Sequence, residues 1–331
     1  MKKLFTPRLF LTIGLLAIAA GAFAGDDDGE KKRTYSKSYP VSANDKVSIN
    51  NQFGEVKIVT WDKNEVKAEV TITTHAPSDE KAQSLLDGII IQDGRNNDGV
   101  YFITVLPKGN NRNEEGKDRD RDRDKDKDKD KDKEKEKDKS RKGNEGMNID
   151  YVISMPARNP LRLENQFGKS FVPDMTGPVE ITQKFGELTA GNLSNVKTLQ
   201  VEFSKARVEN ISNGKVVIKF SEASLKKMTG SIKANIEFSG KVSLPLDNQV
   251  TELTVNSSYS DVQVAVKPDF SGDFEIHTNF GDFKNTTQIP IAEKKDEDDH
   301  GPKFDKYFSG KSGSGACRVQ LKSSFGNIRF I

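Results

Sequence analysis

A unit built on an aromatic residue directly before Gly or Ser repeats through this chain, with copies at Phe53-Gly54, Phe167-Gly168, Phe185-Gly186, Phe203-Ser204, Phe220-Ser221, Phe238-Ser239, Tyr259-Ser260, Phe280-Gly281 and Phe325-Gly326. An apolar residue stands four positions before every one of them: Ile49, Leu163, Ile181, Leu199, Val216, Ala234, Val255, Ile276 and Leu321. From Phe167 to Phe280 the copies lie 18, 18, 17, 18, 21 and 21 residues apart. A unit this short cannot bury an apolar face alone, so a fixed period calls for stacking unit on unit, with like residues in register as ladders. Alternation marks the strands, as in Val179, Ile181; Leu199, Val201; Val216, Ile218; and Ile232, Ala234, Ile236. Gly191-Asn192, Asn213-Gly214 and Gly230 mark turns between them. The expected fold is all-β, a parallel β-solenoid (β-helix) with coils of about 18 residues. Strict alternation carried through each strand points the nine aromatics inward, as rungs contributing roughly 1.5–3 kcal/mol apiece on burial. The small residue after each suits a tight corner, where Gly tolerates positive φ and a large side chain would crowd the next coil.

The ends and interruptions of the repeat set the domain organisation. Met1 to Ala24 carries Lys2, Lys3 and Arg8, then an apolar stretch, then Ala22-Phe23-Ala24, the layout of a signal peptide cleaved between Ala24 and Gly25. Residues 25–40 read as a disordered mature N-terminus. Residues 41–106 read as an N-terminal solenoid and capping region, with one short helix from the N-cap Ser78 through Asp87 and Gly88 ending it. Residues 107–147 read as a disordered charged insertion, and 148–331 as the solenoid repeats with a loop insertion at 291–314.

Composition has meaning only after this division. The whole chain balances 52 Lys and Arg against 50 Asp and Glu. Lys117 to Lys142 alone holds 14 basic and 11 acidic residues in near alternation, with nothing apolar to bury. Outside that run and the leader, 35 basic residues face 39 acidic ones, a formal charge of −4. That removes the electrostatic case for a nucleic-acid partner. No segment beyond the leader is apolar for long enough to cross a bilayer, so no membrane span is expected in the mature chain. Cys317 is the single cysteine, which excludes an internal disulfide and reads as a half-buried strand residue.

Catalytic and metal chemistry finds little support. His75, His277 and His300 are far apart and lack metal-ligand spacing. Asp296 to His300 reads as a solvated acidic loop, without the Gly and terminal Glu of a calcium loop. Gly310 to Gly315 resembles part of a phosphate loop but misses the upstream Gly spacing. Outward strand positions Glu180, Glu202, Lys219, Lys233 and Glu237 read as charged ladders on a solvated face. No catalytic, cofactor or metal residues are expected, and no cofactor.

The segment Trp61 to Val70 and the two Asn-Gln-Phe-Gly units at 51–54 and 165–168 carry a family resemblance. Over roughly residues 40–106 and 148–331 the chain resembles the bacterial putative-adhesin β-solenoid family, in the form found in Bacteroidota envelopes. It departs at 203, 220, 238 and 259, where Ser follows the aromatic, and in its charged insertion. The resemblance implies a non-enzymatic exported envelope protein, periplasmic or at the cell surface. Its work would be adhesin-like binding or scaffolding along the solenoid, with an envelope protein or glycan as partner. A periplasmic envelope-sensing accessory is the alternative, and a polysaccharide-active β-helix enzyme the third reading. No active-site residues come with the resemblance, and fold alone does not assign function.

Overall fold

A computed structural model of the 331-residue chain describes residues 29–107, 145–294 and 304–331. The leader with its Ala24–Gly25 site, the charge run 117–142 and the stretch 296–300 lie outside the described residues. What is described is β-structure with one helix, and its 23 strands join one continuous hydrogen-bonded sheet of parallel and antiparallel pairs.

The N-terminal part comprises β1 (Gly29–Pro40), β2 (Lys46–Gln52), β3 (Val56–Thr60), β4 (Glu65–Ala76), α1 (Asp79–Gly88), β5 (Ile90–Asn96), β6 (Gly99–Val105) and β7 (Gly146–Met155). The repeats follow as β8 (Leu161–Gln166), β9 (Lys169–Val172), β10 (Met175–Lys184), β11 (Glu187–Glu202), β12 (Lys205–Lys219), β13 (Glu222–Leu225), β14 (Met228–Glu237), β15 (Lys241–Leu246), β16 (Val250–Ser258) and β17 (Asp261–Val266). The chain closes with β18 (Gly272–Asn279), β19 (Phe283–Asn285), β20 (Ile291–Glu293), β21 (Asp305–Ser312), β22 (Cys317–Ser324) and β23 (Ile328–Phe330).

Two runs of parallel strands organise these elements. One, leading into the aromatics, is ordered β6, β2, β8, β10, β11, β12, β14, β16, β22, β18. The other, leaving them, is ordered β7, β3, β9, β11, β12, β13, β15, β17, β23, β19. Strands β11 and β12 are long enough to serve both runs. In the first run the apolar residues four before each aromatic stand opposite one another: Ile49, Leu163, Ile181, Leu199, Val216, Ala234, Val255, Leu321 and Ile276. All nine are buried in a single core cluster.

The order of that ladder departs from chain order. The last unit, β22 and β23, is inserted between β16–β17 and β18–β19, so the chain first skips a layer and then returns to fill it. The antiparallel pairs lie towards the ends: β1 with β4, β4 with β7 and β5 with β6 at one, and β18 and β20 with β21 at the other. Helix α1 is capped as its sequence requires, Ser78 Oγ accepting from the Lys81 N–H at 3.4 Å.

Four expectations are corrected. Gly29 to Pro40 is not disordered; it pairs with β4 over its full 12-residue length. Backbone pairing supplies what its polar composition lacks, and its half-buried Tyr35 and Tyr39 both donate to the Asp93 carboxylate. The interval 291–314 is likewise not simply loop, because β20 and β21 lie within it and Phe308 packs on the core. The charged insertion also ends earlier than expected, since Gly146 and Met147 already belong to β7. Cys317 is buried rather than half-buried.

Candidate functional site

Within each unit the residues four and two before the aromatic point into the core, and the residue just before it is half-exposed. Continued alternation would turn the aromatic inward. Instead every one of the nine takes φ between 47° and 63°, the left-handed region, which breaks the alternation and swings the ring outside. The inward expectation for Phe53, Phe167, Phe185, Phe203, Phe220, Phe238, Tyr259, Phe280 and Phe325 is therefore overturned. Phe53 is half-buried, and the other eight are 44–52% exposed. The positive φ belongs to the aromatic itself and, with the exception of Gly54 at 153°, not to the small residue after it as expected.

The rings form one external ladder. Centroid separations from Phe53 through Phe167, Phe185, Phe203, Phe220, Phe238, Tyr259 and Phe325 to Phe280 are 4.7–5.0 Å, with planes within 10° of parallel. Phe304, outside the repeat pattern, adds a tenth ring at 4.6 Å from Phe280 and 25° to it. This spacing is the distance between neighbouring strands, so the backbone ladder sets the ring ladder. Each aromatic N–H donates to a carbonyl of the next layer, as Phe185 to Glu202 and Phe203 to Lys219.

The small residue after the ring explains itself through the neighbouring layer. A Cβ on Gly168 would stand 1.8 Å from the Gly54 carbonyl oxygen, and one on Gly186 would stand 1.8 Å from that of Gly168. Where Ser occurs, its hydroxyl replaces direct backbone approach. Ser204, Ser221, Ser239 and Ser260 each donate to the carbonyl two residues back and accept from an N–H of the adjacent layer, at 2.9–3.3 Å for the latter. The Asn-Gln-Phe-Gly units add a buried polar chain two positions before the ring. Asn51, Asn165 and Gln183 connect through Ser170, and Thr104 joins Asn51 to the Tyr151 hydroxyl.

Charged residues flank the rings in alternation. On the incoming side the sequence is Lys184, Glu202, Lys219, Glu237, with Lys184–Glu202 at 3.0 Å and Lys219–Glu237 at 3.1 Å. On the outgoing side it is Lys169, Glu187, Lys205, Glu222, with Lys205–Glu222 at 3.4 Å and Glu187 paired to Arg207. Partial burial of the Glu202 carboxyl opposes its charge, yet Lys184 and Gln200 hold it below the usual carboxylate range. Between the ring edges and the outgoing flank runs a groove of about 840 Å³, floored by Gly168, Gly186, Ser204, Ser221 and Gly240.

Stacked in this way, the rings cover one another's faces and turn only their edges to solvent. Ring edges carry the positive side of the aromatic quadrupole, and the stripe suits apolar contact and acceptor groups. A sugar needs an open face, which the stack closes.

The remaining candidates disperse. His75 stands near Glu30 at 3.6 Å; His277 stacks on Tyr307 and bonds Asp305 at 2.8 Å. Burial pushes the Cys317 thiol up to about 11, with Glu252 adding to the shift. Glu180 meets Lys197 at 3.8 Å, while Lys233 is exposed. Gly310 to Gly315 forms the end of β21 and the turn after it. Among the described residues no group of three or more His, Cys, Asp or Glu is placed to hold a metal ion. No helix among them is long and apolar enough to cross a membrane.

Sequence reasoning missed Phe304, the serine ladder and the outgoing charged flank. The flank was legible as alternating charge two residues after Phe167, Phe185, Phe203 and Phe220. Phe304 was not, because it reaches the ladder through an antiparallel strand outside the period.

No protein-family model matches the chain, and no curated protein matches it. Solved structures similar to it include one described as a putative cell adhesion protein from Clostridium sporogenes, 12% identical, covering 91% of this chain and 99% of that one at a TM-score of 0.27. Another, described as a putative adhesin from Bacteroides fragilis, is 10% identical and covers 90% of this chain and 97% of that one at a TM-score of 0.37. Both carry the description that the sequence resemblance names, and at these TM-scores neither sets the shape or the work of this chain.

Proposed function

We propose that this chain is a non-enzymatic, exported envelope protein, a parallel β-solenoid that binds a protein partner along its aromatic stripe in the manner of an adhesin or scaffold. The carrying observation is the unbroken ladder of ten rings with half-exposed edges. A left-handed conformation costs an ordinary residue about 1–2 kcal/mol, and a corner that only had to turn would be filled more easily by Gly or Asn. Nine aromatics at such corners, all facing out and all in register, suit a contact surface. Closed ring faces favour a protein over a glycan. Carboxylates along the groove stand against cations, Glu187 by Arg207 and Glu222 by Lys205, as solvated surface charges do.

The test combines location with the stripe. Fractionation and protease digestion of intact cells should find the tagged chain exported and cleaved at the surface. Replacing Phe185 and Phe238 by Ser should leave export unchanged and reduce attachment, or recovery of the crosslinked partner, at least tenfold. An exported chain shielded from external protease supports the periplasmic accessory instead. Unchanged attachment and crosslinking in the double variant overturn the stripe as the binding face.

A further inference from the structure

The two charged flanks share a symmetry that names a partner. Counting layers outward from the point between Phe203 and Phe220, the incoming flank sets Glu202 against Lys219 and then Lys184 against Glu237. The outgoing flank sets Lys205 against Glu222, and two layers further out Lys169 against Asp261. At each of these steps the residue on one side is opposite in charge to its counterpart on the other. A stripe that is antisymmetric in charge about one point is complementary to itself when turned around that point. This is the requirement of an isologous two-fold contact.

We propose that the aromatic stripe is occupied by the stripe of a second copy of this chain, running antiparallel, with the two-fold axis between the Phe203 and Phe220 layers. This rests on the reading of the stripe as the binding face and supplies its partner. Ring edges of the two copies meet along the centre. Glu202 of each copy faces Lys219 of the other, and Lys184 faces Glu237. Moving either copy by one layer brings Lys opposite Lys and Glu opposite Glu, and moving it by two restores opposite charges over fewer layers, so the flanks favour the central register by the number of opposite pairs while the rings supply contact. Ten rungs at about 4.8 Å make a stripe about 43 Å long, and the four residues from one flank to the other make it at most about 14 Å wide. The product, roughly 600 Å² per copy, is at the low end of a specific interface, about 600 Å² per partner.

The exported, purified chain tests this by sedimentation velocity from about 1 to 100 μM, where a dimer with a dissociation constant of roughly 1–10 μM is expected. Carbodiimide crosslinking then reads the direction without any substitution. Lys184 and Glu237 stand three layers, about 14 Å, apart within one copy, beyond the reach of a zero-length crosslink. A Lys184–Glu237 crosslink in the dimer band therefore reports the antiparallel contact. Lys184→Glu with Lys219→Glu, and separately Glu202→Lys with Glu237→Lys, should each weaken self-association at least 30-fold. Mixing the two variants should restore a dimer. Folding of each is checked by circular dichroism, and the crosslink in the unaltered chain decides the matter if either fails to fold.

A monomer at about 100 μM, a dimer without the Lys184–Glu237 crosslink, or folded variants that still self-associate overturns the proposal. If the chain is monomeric while the stripe variants still lose their partner in cells, the binding face stands and the second copy falls. If the dimer forms but attachment ignores the stripe, the reverse holds.

Discussion

Phe203 holds a left-handed φ of 50° and stacks between Phe185 and Phe220 at 5.0 and 4.7 Å. Two effects of opposite sign therefore meet at one residue. Replacing Phe203 by Ala removes the stacking and keeps the strained backbone, with an expected loss of about 2–3 kcal/mol. Phe203→Gly removes the same contacts and relaxes the backbone, so it should be about 1 kcal/mol more stable than Phe203→Ala. Urea denaturation of the pair measures this, and an Ala variant equal to or better than the Gly variant would contradict the strain. Ser221 gives a second residue-scale test. Its hydroxyl accepts from the buried Ser204 N–H at 3.0 Å and donates to the Lys219 carbonyl at 2.6 Å. Ser221→Ala strands that N–H and should cost about 1–3 kcal/mol by the same measurement.

At the scale of elements, the inserted unit matters most. In a simple stack the last unit would lie at an edge and its loss would be mild. Here β22 and β23 fill the gap between β16–β17 and β18–β19, and Cys317, Val319, Leu321, Ile328 and Phe330 are all buried there. Ending the chain at Ala316 would remove these five buried apolar side chains and leave two unpaired strand edges facing one another. A loss on the order of 10 kcal/mol is expected, at about 1.5–3 kcal/mol per buried side chain, so the shortened chain should be protease-sensitive from Gly272 onward. Limited proteolysis checks this, and a truncated chain as resistant as the full one would refute the inserted position.

The elements were legible in unequal measure. Spacing and alternation announced the strands of the repeat, and Ser78 with its acidic neighbours announced α1, because local pattern and local hydrogen bonding decide both. Strand β1 was not legible, since a polar segment pairs through its backbone, and backbone groups are the same in every sequence. The return of β22 between β16 and β18 was hidden for a related reason. Its repeat has the same pattern whichever layer it joins.

For the whole molecule, alkaline pH is the informative variable. Burial pushes the Cys317 thiol to about 11 and the Tyr151 phenol to about 12, the latter opposed by the Thr104 hydrogen bond. Burial and the Asp93 carboxylate raise Tyr35 and Tyr39 as well. Each folded-state pKa is raised, so the native state holds protons that the unfolded chain releases. That stability is fully present below the ordinary thiol value of 9.0 and is lost as pH rises through about 11 and beyond. The urea midpoint should be level between about pH 7 and 8.5 and fall above about pH 9. Cys317→Ala should move the onset towards the ordinary phenol value of 10.0, and a midpoint unchanged to about pH 11 would contradict the burial. A second whole-chain prediction concerns the charge run. If it is the unpacked insertion expected from its sequence, its length enters stability only through loop closure, where halving a loop changes the free energy by about 0.6 kcal/mol. Deleting residues 117–142 should therefore shift the melting temperature by no more than about 3 °C, as calorimetry would show, and a larger loss would mean that the run packs on the fold.

The sequence by itself determined that this chain stacks, at what period, and which aliphatic residues meet in its core. Periodicity and alternation are local, and burial of like residues in register follows from them. Which way the aromatic ladder faces was decided only by the tertiary structure. The same Phe-Gly and Phe-Ser pairs serve an inward or an outward ring, and the choice turns on one backbone angle. Contact with the neighbouring layer sets that angle, through the aromatic N–H bonds and the close approach of Gly and Ser. Facing out, the aromatics become a surface, and the charges beside them, of which the sequence reading named only some of the incoming set and as solvated ladders, become its two edges.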